Sequence, residues 1–424
     1  EVSGMKETLW IHDVTAVTMQ DECPVIEHAN IVIEGNRITY LGTERPEGSF
    51  DREIDGRGKV AMPGLINAHT HTAMTVLRSY ADDMNLQDWL FQKIFPYEDT
   101  LTGDVVYRAS INGIMEMLAS GTTCFHDMYF FQEETAKAAM LLGMRGVLNE
   151  GITDSVLDVK LEKTERLFKA IENSGGRLRV GVSPHAVYTC SPDTLRRCAA
   201  FAKEHGLQIH THLSETKKEN VDCEKEYGMS PTALMEECGL MERPLVAAHG
   251  VWLSEKDLEI LKKHDAAVVH NPVSNLKLAS GVADVPAMRK RGITVALGTD
   301  GASSNNNLDL FEEIKLTGIL HKGIHYDPTV LPAWEVLKMA TVGGARALGF
   351  SDLGMLKTGY LADVILLDFH TPHFIPNQNT VANLVYTARG SDVVYTIVDG
   401  KIVYTKDEKT RFTADQIEAE TLFS

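Results

Sequence analysis

Residues 60–71 read VAMPGLINAHTH. The run is apolar until it meets two histidines, His69 and His71, one residue apart. Side chains alternate across a strand, so residues two apart face the same way. A hydrophobic strand ending in two same-facing imidazoles is a candidate half of a metal site. Thr70, between them, points to the opposite face and is no ligand candidate. The arrangement recurs along the chain. Candidate inner strands end near LINAHTH, TTCFHDMY, GVLNEGIT, RVGVSPH, LQIHTH, LVAAHG, AAVVHN and TVALGTD, and six of these eight ends carry a histidine. Helical patterns lie between most of them. Pro192 to His205 is one, opened by Ser191 as N-cap with proline at the first helical position; Pro231 to Cys238 is another. Eight β/α alternations predict an α/β fold, a (β/α)8 TIM-like barrel. Such a barrel gathers its chemistry at the C-terminal strand ends, where these histidines lie. An open doubly wound sheet is the alternative, but no GxGxxG follows a first strand.

The chain ends read differently. ANIVIEGNRITYLG is two apolar runs joined at Gly35-Asn36, and VVYTIVDGKIVYT repeats the pattern at Asp399-Gly400. Both are hairpin signals. GYLADVILLD, residues 359–368, is a further strand. The expected organisation is a small β-sandwich domain from residues 1–60 plus 355–424, and a barrel from 61–354. Residues 1–4 precede Met5 and are left out of the fold reasoning.

Bulk properties narrow the function classes. The 424 residues are 44% hydrophobic and 24% charged, the composition of a globular protein with a sizeable core. The net charge of -18, from 59 acidic and 41 basic residues, argues against nucleic acid as a partner. It favours a neutral, zwitterionic or cationic small molecule. No apolar run is long enough to span a bilayer, so no membrane partner is expected. The six cysteines form no CxxC pair and read as reduced thiols of a cytoplasmic protein. Homo-oligomer formation is compatible with all of this.

Three further stretches complete a constellation. QIHTHLSET holds His210, His212 and Glu215. His212 lies nearer the strand's C-terminal end and is the expected ligand; His210, deeper, supports the site or the core. Glu215 follows where the strand becomes loop, placed to take a proton from a bound water and pass it on. Its bland alternative is a solvated loop glutamate. AAHGVWL contributes His249, either a hydrogen-bonded core histidine or a group that polarises water or holds an oxyanion. VALGTDG ends the last strand on Asp300, alone no more than a helix cap or turn residue. With His69, His71 and His212 it makes an N3O shell for one divalent metal per chain, zinc being expected and iron or manganese the alternatives.

At this point the sequence resembles the amidohydrolase superfamily, through PGLINAHTH, HTHLSET, AAHG and GTDG in that order. Members that hold two metals bridge them with a carboxylated lysine at strand four. Strand four here reads RVGVSPH and offers no lysine, which implies a mononuclear site. A closer resemblance is to the 5′-methylthioadenosine/S-adenosylhomocysteine deaminases. It is carried by HTHTAMTVLRSYADDMNLQDWLFQKIFPYED, SGTTCFHDMYF, SPHAVYTCSPD, NPVSNLKLASG and GTDGASSNNNLDL. That resemblance implies that Glu98 holds the ribose hydroxyls, Trp89 lines the nucleoside pocket, His185 contacts the purine and Ser304 faces the ligand. One position departs. Where that family often has an arginine before glycine after strand three, this chain has Glu150, which repels a carboxylate that arginine would attract. A homocysteine tail then goes poorly recognised or needs another basic residue, such as Arg166.

The implied reaction is hydrolytic deamination of an adenine nucleoside (5′-methylthioadenosine, S-adenosylhomocysteine or adenosine) to the hypoxanthine nucleoside and ammonia. Glu215 acts as base and then acid, Asp300 takes the second proton of water and protonates the departing amine, and His249 steadies the tetrahedral species. A deaminase of guanine, pterin or cytosine, or a triazine chlorohydrolase, is the alternative; Glu98 argues against it, because a free base has no ribose diol. The cytidine deaminase solution is excluded by the lack of PCxxC. A non-catalytic scaffold of dihydropyrimidinase-like type is disfavoured because every part of the shell is retained.

Overall fold

The computed structural model of the chain describes residues 6–407. Residues from both ends form one eight-stranded sheet. Thr8–Val17, Val25–Glu34, Arg37–Gly42, Arg52–Asp55 and Lys59–Pro63 come from the front; Val364–Asp368, Val393–Val398 and Lys401–Thr405 come from the back. The two halves join where Lys59–Pro63 pairs antiparallel with Val364–Asp368, Ala61 lying opposite Leu366. Each expected hairpin forms at its expected turn: Glu34 pairs with Arg37, and Val398 with Lys401. Asp399 and Gly400 have φ of 53° and 80°, the left-handed pair that a tight hairpin turn requires.

The strands of the expected β-sandwich domain are hydrogen-bonded into one connected sheet. Thr8–Val17 shifts register between Ile11 and Val14 and again between Val14 and Ala16. Such irregularities bend a strand. One half of it then pairs with Arg52–Asp55 and the other half with Lys59–Pro63. The sheet curls over Ile11, Ile31, Ile33, Val364, Leu366 and Ile397. Its two hairpin tips meet, the Asn36 side-chain amide donating to Asp399 at 3.3 Å. The part of the expected domain beyond residue 407, like residues 1–5, lies outside the described residues.

All eight expected inner strands are present: Leu65–Thr70, Thr122–Tyr129, Arg145–Ile152, the pair Leu178–Val180 and Ser183–Pro184, then Ile209–Leu213, Leu245–His249, Ala267–His270 and Val295–Leu297. Neighbours in this series pair in parallel. Leu65–Thr70 and Thr122–Tyr129 are buried along their whole length, as strands covered on both faces must be. The ladder is not continuous, however. The first four strands form one sheet and the last four another. A single parallel bridge, Val182 to Ile209, joins them on one side. On the other, the Asp300 N–H donates to the His69 carbonyl at 3.0 Å. Gly298 sits at that second seam, where a Cβ would fall 2.7 Å from the His69 carbonyl oxygen.

Helices between the strands present apolar stripes inward. Pro192–His205 starts as expected, the Ser191 hydroxyl accepting from the Thr194 N–H. It buries Leu195, Cys198, Ala199 and Ala202, the i, i+3, i+4, i+7 pattern of one helix face. No helix among the described residues is long and apolar enough to cross a membrane. One excursion matters for the site. Between the first inner strand and helix Gly103–Ala119 the chain makes short turns at Leu86–Asp88, Trp89–Ile94 and Phe95–Glu98. The middle turn is a π-helix, a widened turn frequent at functional sites.

Candidate metal centre and active-site cavity

His69 and His71 do face the same way: their rings lie 4.9 Å apart, edge to face. Three backbone and side-chain acceptors then set the protons on the imidazoles. His71 donates Nδ1–H to the Met128 carbonyl, and His212 donates Nδ1–H to the His185 carbonyl at 2.7 Å. Their Nε2 atoms therefore carry lone pairs, and these face each other at 3.3 Å. His69 meets His210 through Nδ1 at 2.9 Å, while its own Nε2 is buried without a hydrogen-bond partner. His210 is held in turn by stacking on His126, ring centroids 3.7 Å apart.

Asp300 closes the group. Its Oδ1 lies 3.3 Å from His69 Nε2 and 3.2 Å from His71 Nε2. Its Oδ2 accepts hydrogen bonds from Ser274 at 2.7 Å and Ser304 at 3.0 Å. Donor atoms of His69, His71 and His212, and again of His69, His249 and Asp300, lie within 4.8 Å of one another. Burial pushes the His69 imidazole down to about 4. Burial also lowers His71, but the Asp300 carboxylate outweighs it and carries His71 up to about 9. The Asp300 carboxylate therefore favours positive charge among these imidazoles. Imidazole nitrogens plus one carboxylate oxygen are a donor set that fits a zinc-type divalent ion.

Around this cluster the backbone departs from ordinary conformations. Ser214, His249 and Asp300 have φ of 48°, 80° and 58°. Left-handed non-glycine residues cost about 1–3 kcal/mol each and concentrate where geometry serves function. Here each turns the chain as a strand ends, at the level of the metal-ligand candidates. Glu215 and His249 complete the floor: Glu215 Oε1 is 3.6 Å from His249 Nε2. Burial raises the Glu215 carboxyl. His249 is oriented by donating Nδ1–H to Asn275 at 2.8 Å.

Above the floor opens a cavity. Trp89, Glu98, His185 and Glu215, all singled out from the sequence, line it. The widened turn Trp89–Ile94 and the turn Phe95–Glu98 bring Trp89 and Glu98 into the wall of the cavity that His71, His212 and Asp300 also line. Burial raises the Glu98 carboxyl to about 7, with the neighbouring Tyr129 hydroxyl working against it. His185 turns Nδ1 to the Thr189 hydroxyl at 2.9 Å, and burial lowers it to about 3, so it is neutral.

Three placements differ from expectation. Ser304 does not line the cavity; its hydroxyl is held behind the wall by Asp300 and Ser274. Glu150 does not face the cavity either. It is buried, accepts from the Gln132 N–H at 3.0 Å and pairs with Lys160 at 2.6 Å. Arg166 is exposed on a helix surface, where it pairs with Glu162. Other residues enter that sequence reasoning missed. Ser274 and Asn275 sit in NPVSN, just after the strand that ends at His270, and orient Asp300 and His249. Glu219 is buried and takes the N–H of the left-handed Ser214. Only the position at a strand end marked the first two; nothing local marked Glu219.

The model of the Amidohydrolase family matches residues 60–403. This chain belongs to the amidohydrolase family. Relatives within the family carry more specific names. A protein of Thermoanaerobacter pseudethanolicus named 5-methylthioadenosine/S-adenosylhomocysteine deaminase is 46% identical over 406 residues, 94% of each chain. A Methanosarcina mazei protein named 5'-deoxyadenosine deaminase is 45% identical over 398 residues, 93% of this amidohydrolase and 92% of its own length. Among solved structures, an adenosine deaminase of Xanthomonas campestris with bound zinc superposes with a TM-score of 0.92 at 32% identity, covering 97% of both chains.

Proposed function

We propose that this amidohydrolase is a divalent-metal-dependent deaminase of adenine nucleosides, converting them to hypoxanthine nucleosides and ammonia. One observation carries the reading. Imidazole lone pairs and a carboxylate oxygen lie close together beside a buried glutamate, under a cavity whose wall carries a further carboxylate, Glu98. The names of the relatives agree with it.

His69, His71, His212 and Asp300 are the residues that would hold one cation per chain, zinc being the best match to the donor set and to the zinc in the Xanthomonas structure. Held there, a divalent ion would supply Lewis acidity that brings the pKa of water to about 7. Glu215 takes the proton of the attacking water and delivers it to N1 of the ring as oxygen bonds to C6. Its burial keeps its affinity for that proton high. Asp300 accepts the second proton and passes it to the C6 amine, which leaves as ammonia; the lactam product keeps the first proton on N1. His249, fixed by Asn275, steadies the oxygen on C6. Trp89 and His185 hold the purine and Glu98 the ribose hydroxyls. Ser304 and Ser274 act on the reaction by fixing Asp300.

The same reading takes the two inner sheets as halves of one (β/α)8 barrel, supported by the bridge at Val182 and the hydrogen bond at Asp300. It takes the curled sheet, from 1–60 plus 355–424, as a domain separate from the barrel of 61–354. A cytoplasmic location fits the free thiols, five of the six being buried.

The test is a panel of adenosine, 5′-methylthioadenosine and guanine, followed by ammonia release and product chromatography. Adenosine and 5′-methylthioadenosine give hypoxanthine nucleosides. Turnover of guanine with both nucleosides untouched would overturn the assignment.

A further inference from the structure

We infer that this enzyme selects adenine nucleosides whose 5′ substituent is uncharged, and discriminates against those carrying an amino-acid tail. The inference rests on the deaminase reading above. Among the described residues, the cavity wall contains no lysine and no arginine. Its charged groups, apart from the imidazoles of the floor, are the carboxylates Glu98, Glu215 and Asp300. The uncharged part of the wall is largely apolar, with Met74, Leu86, Trp89, Leu90, Phe95 and Leu278 in it and Tyr129, Thr153 and Tyr188 as its polar groups. A nucleoside with its purine over the metal cluster and its ribose on Glu98 directs its 5′ carbon at that apolar surface. A methyl, methylthio or hydroxymethyl group is accommodated there. The carboxylate of a homocysteine tail would lose water and find no cation, a costly burial.

Two lysines next to wall residues are already paired. Lys160 lies 4.7 Å from the ring of Phe130, a residue of the wall, but its ammonium is held by Glu150 behind it. Lys277, next to Leu278 in the chain, pairs with Asp82. Glu150 thus pairs with Lys160 without itself lining the cavity.

The experiment measures kcat/KM of the zinc-loaded enzyme for 5′-deoxyadenosine, 5′-methylthioadenosine and S-adenosylhomocysteine side by side. The expected result is a value for S-adenosylhomocysteine at least about tenfold below the other two. Equal or better turnover of S-adenosylhomocysteine overturns the inference while leaving the deaminase reading intact. No turnover of any of the three overturns both.

Discussion

Two carboxylates in one cavity are tuned for different work. Glu215 lies among imidazoles, and burial raises its affinity for a proton; a base that must give its proton back benefits from that. Glu215→Gln keeps shape and hydrogen-bonding reach but cannot carry a proton. It is expected to lower kcat about a hundred- to ten-thousandfold while retaining one metal equivalent by elemental analysis. Loss of metal along with activity would make Glu215 a ligand instead. Glu98 is pushed up to about 7, so its neutral form dominates below that pH and its carboxylate above. In the proposed function it is the carboxylate that accepts two ribose hydroxyls. KM for nucleoside is therefore expected to fall as pH rises towards 7, and a bound cation shifts the midpoint lower, never higher. Glu98→Gln should flatten that dependence. The sign for folding is opposite: charging a buried carboxyl costs stability, lost as pH climbs from its ordinary 4.5 to about 7. Glu219 works through the backbone, taking the N–H of Ser214 at φ 48° beside Glu215. Glu219→Ala releases that turn and is expected to lower kcat about tenfold with KM little changed, and Glu219→Gln, still an acceptor, to restore most of it. Equal losses in both variants would count against the anchoring role.

At the scale of elements, strands that end together and turns that meet are what build the site. The period-two placement of His69 and His71, and of His210 and His212, works because each pair sits on a strand next to its C-terminal end. His212 reaches the metal cluster and His210 supports His69 from below, as strand depth requires. Far from the site, the hairpin Val393–Val398 and Lys401–Thr405 depends on Gly400. Its φ is 80°, and a Cβ would fall on the Gly35 carbonyl oxygen of the other hairpin. Gly400→Ala is expected to destabilise the protein by about 2–4 kcal/mol, read by denaturant unfolding, without altering KM of the surviving native enzyme. A neutral result would mean that the two hairpin tips do not touch in solution.

For the molecule as a whole, the curled sheet and the inner strands are locked by one buried ion cluster. Arg145, on the third inner strand, binds Asp363 at 2.7 and 3.0 Å and Asp399 at 2.9 Å. Only 2% of the Arg145 side chain is exposed. Removing the arginine leaves two carboxylates without their counter-charge. Arg145→Leu is expected to cost about 3–5 kcal/mol, and adding Asp363→Asn should recover part of it. If the double variant is as unstable as the single one, packing rather than charge holds the junction.

Much of this was legible along the chain, because local periodicity dictates where strands run and which way their side chains face. The eight inner strands, both hairpin turns and the donors His69, His71, His212 and Asp300 follow from patterns a few residues long. Relations between distant segments do not. The single curled sheet depends on irregularities in Thr8–Val17 that no hydropathy pattern announces. Ser304 turned out to hold Asp300 because a loop folds under it, and Ser274 and Asn275 matter only because two strand ends lie side by side. Glu150 illustrates the limit best: its identity suggested repulsion in the pocket, but the fold buried it against Lys160. Sequence by itself determined which groups can do chemistry here, since that follows from residue type and spacing on one strand. The tertiary structure alone decided which of them share a cavity and which charges are already paired, because those depend on distances between atoms hundreds of residues apart.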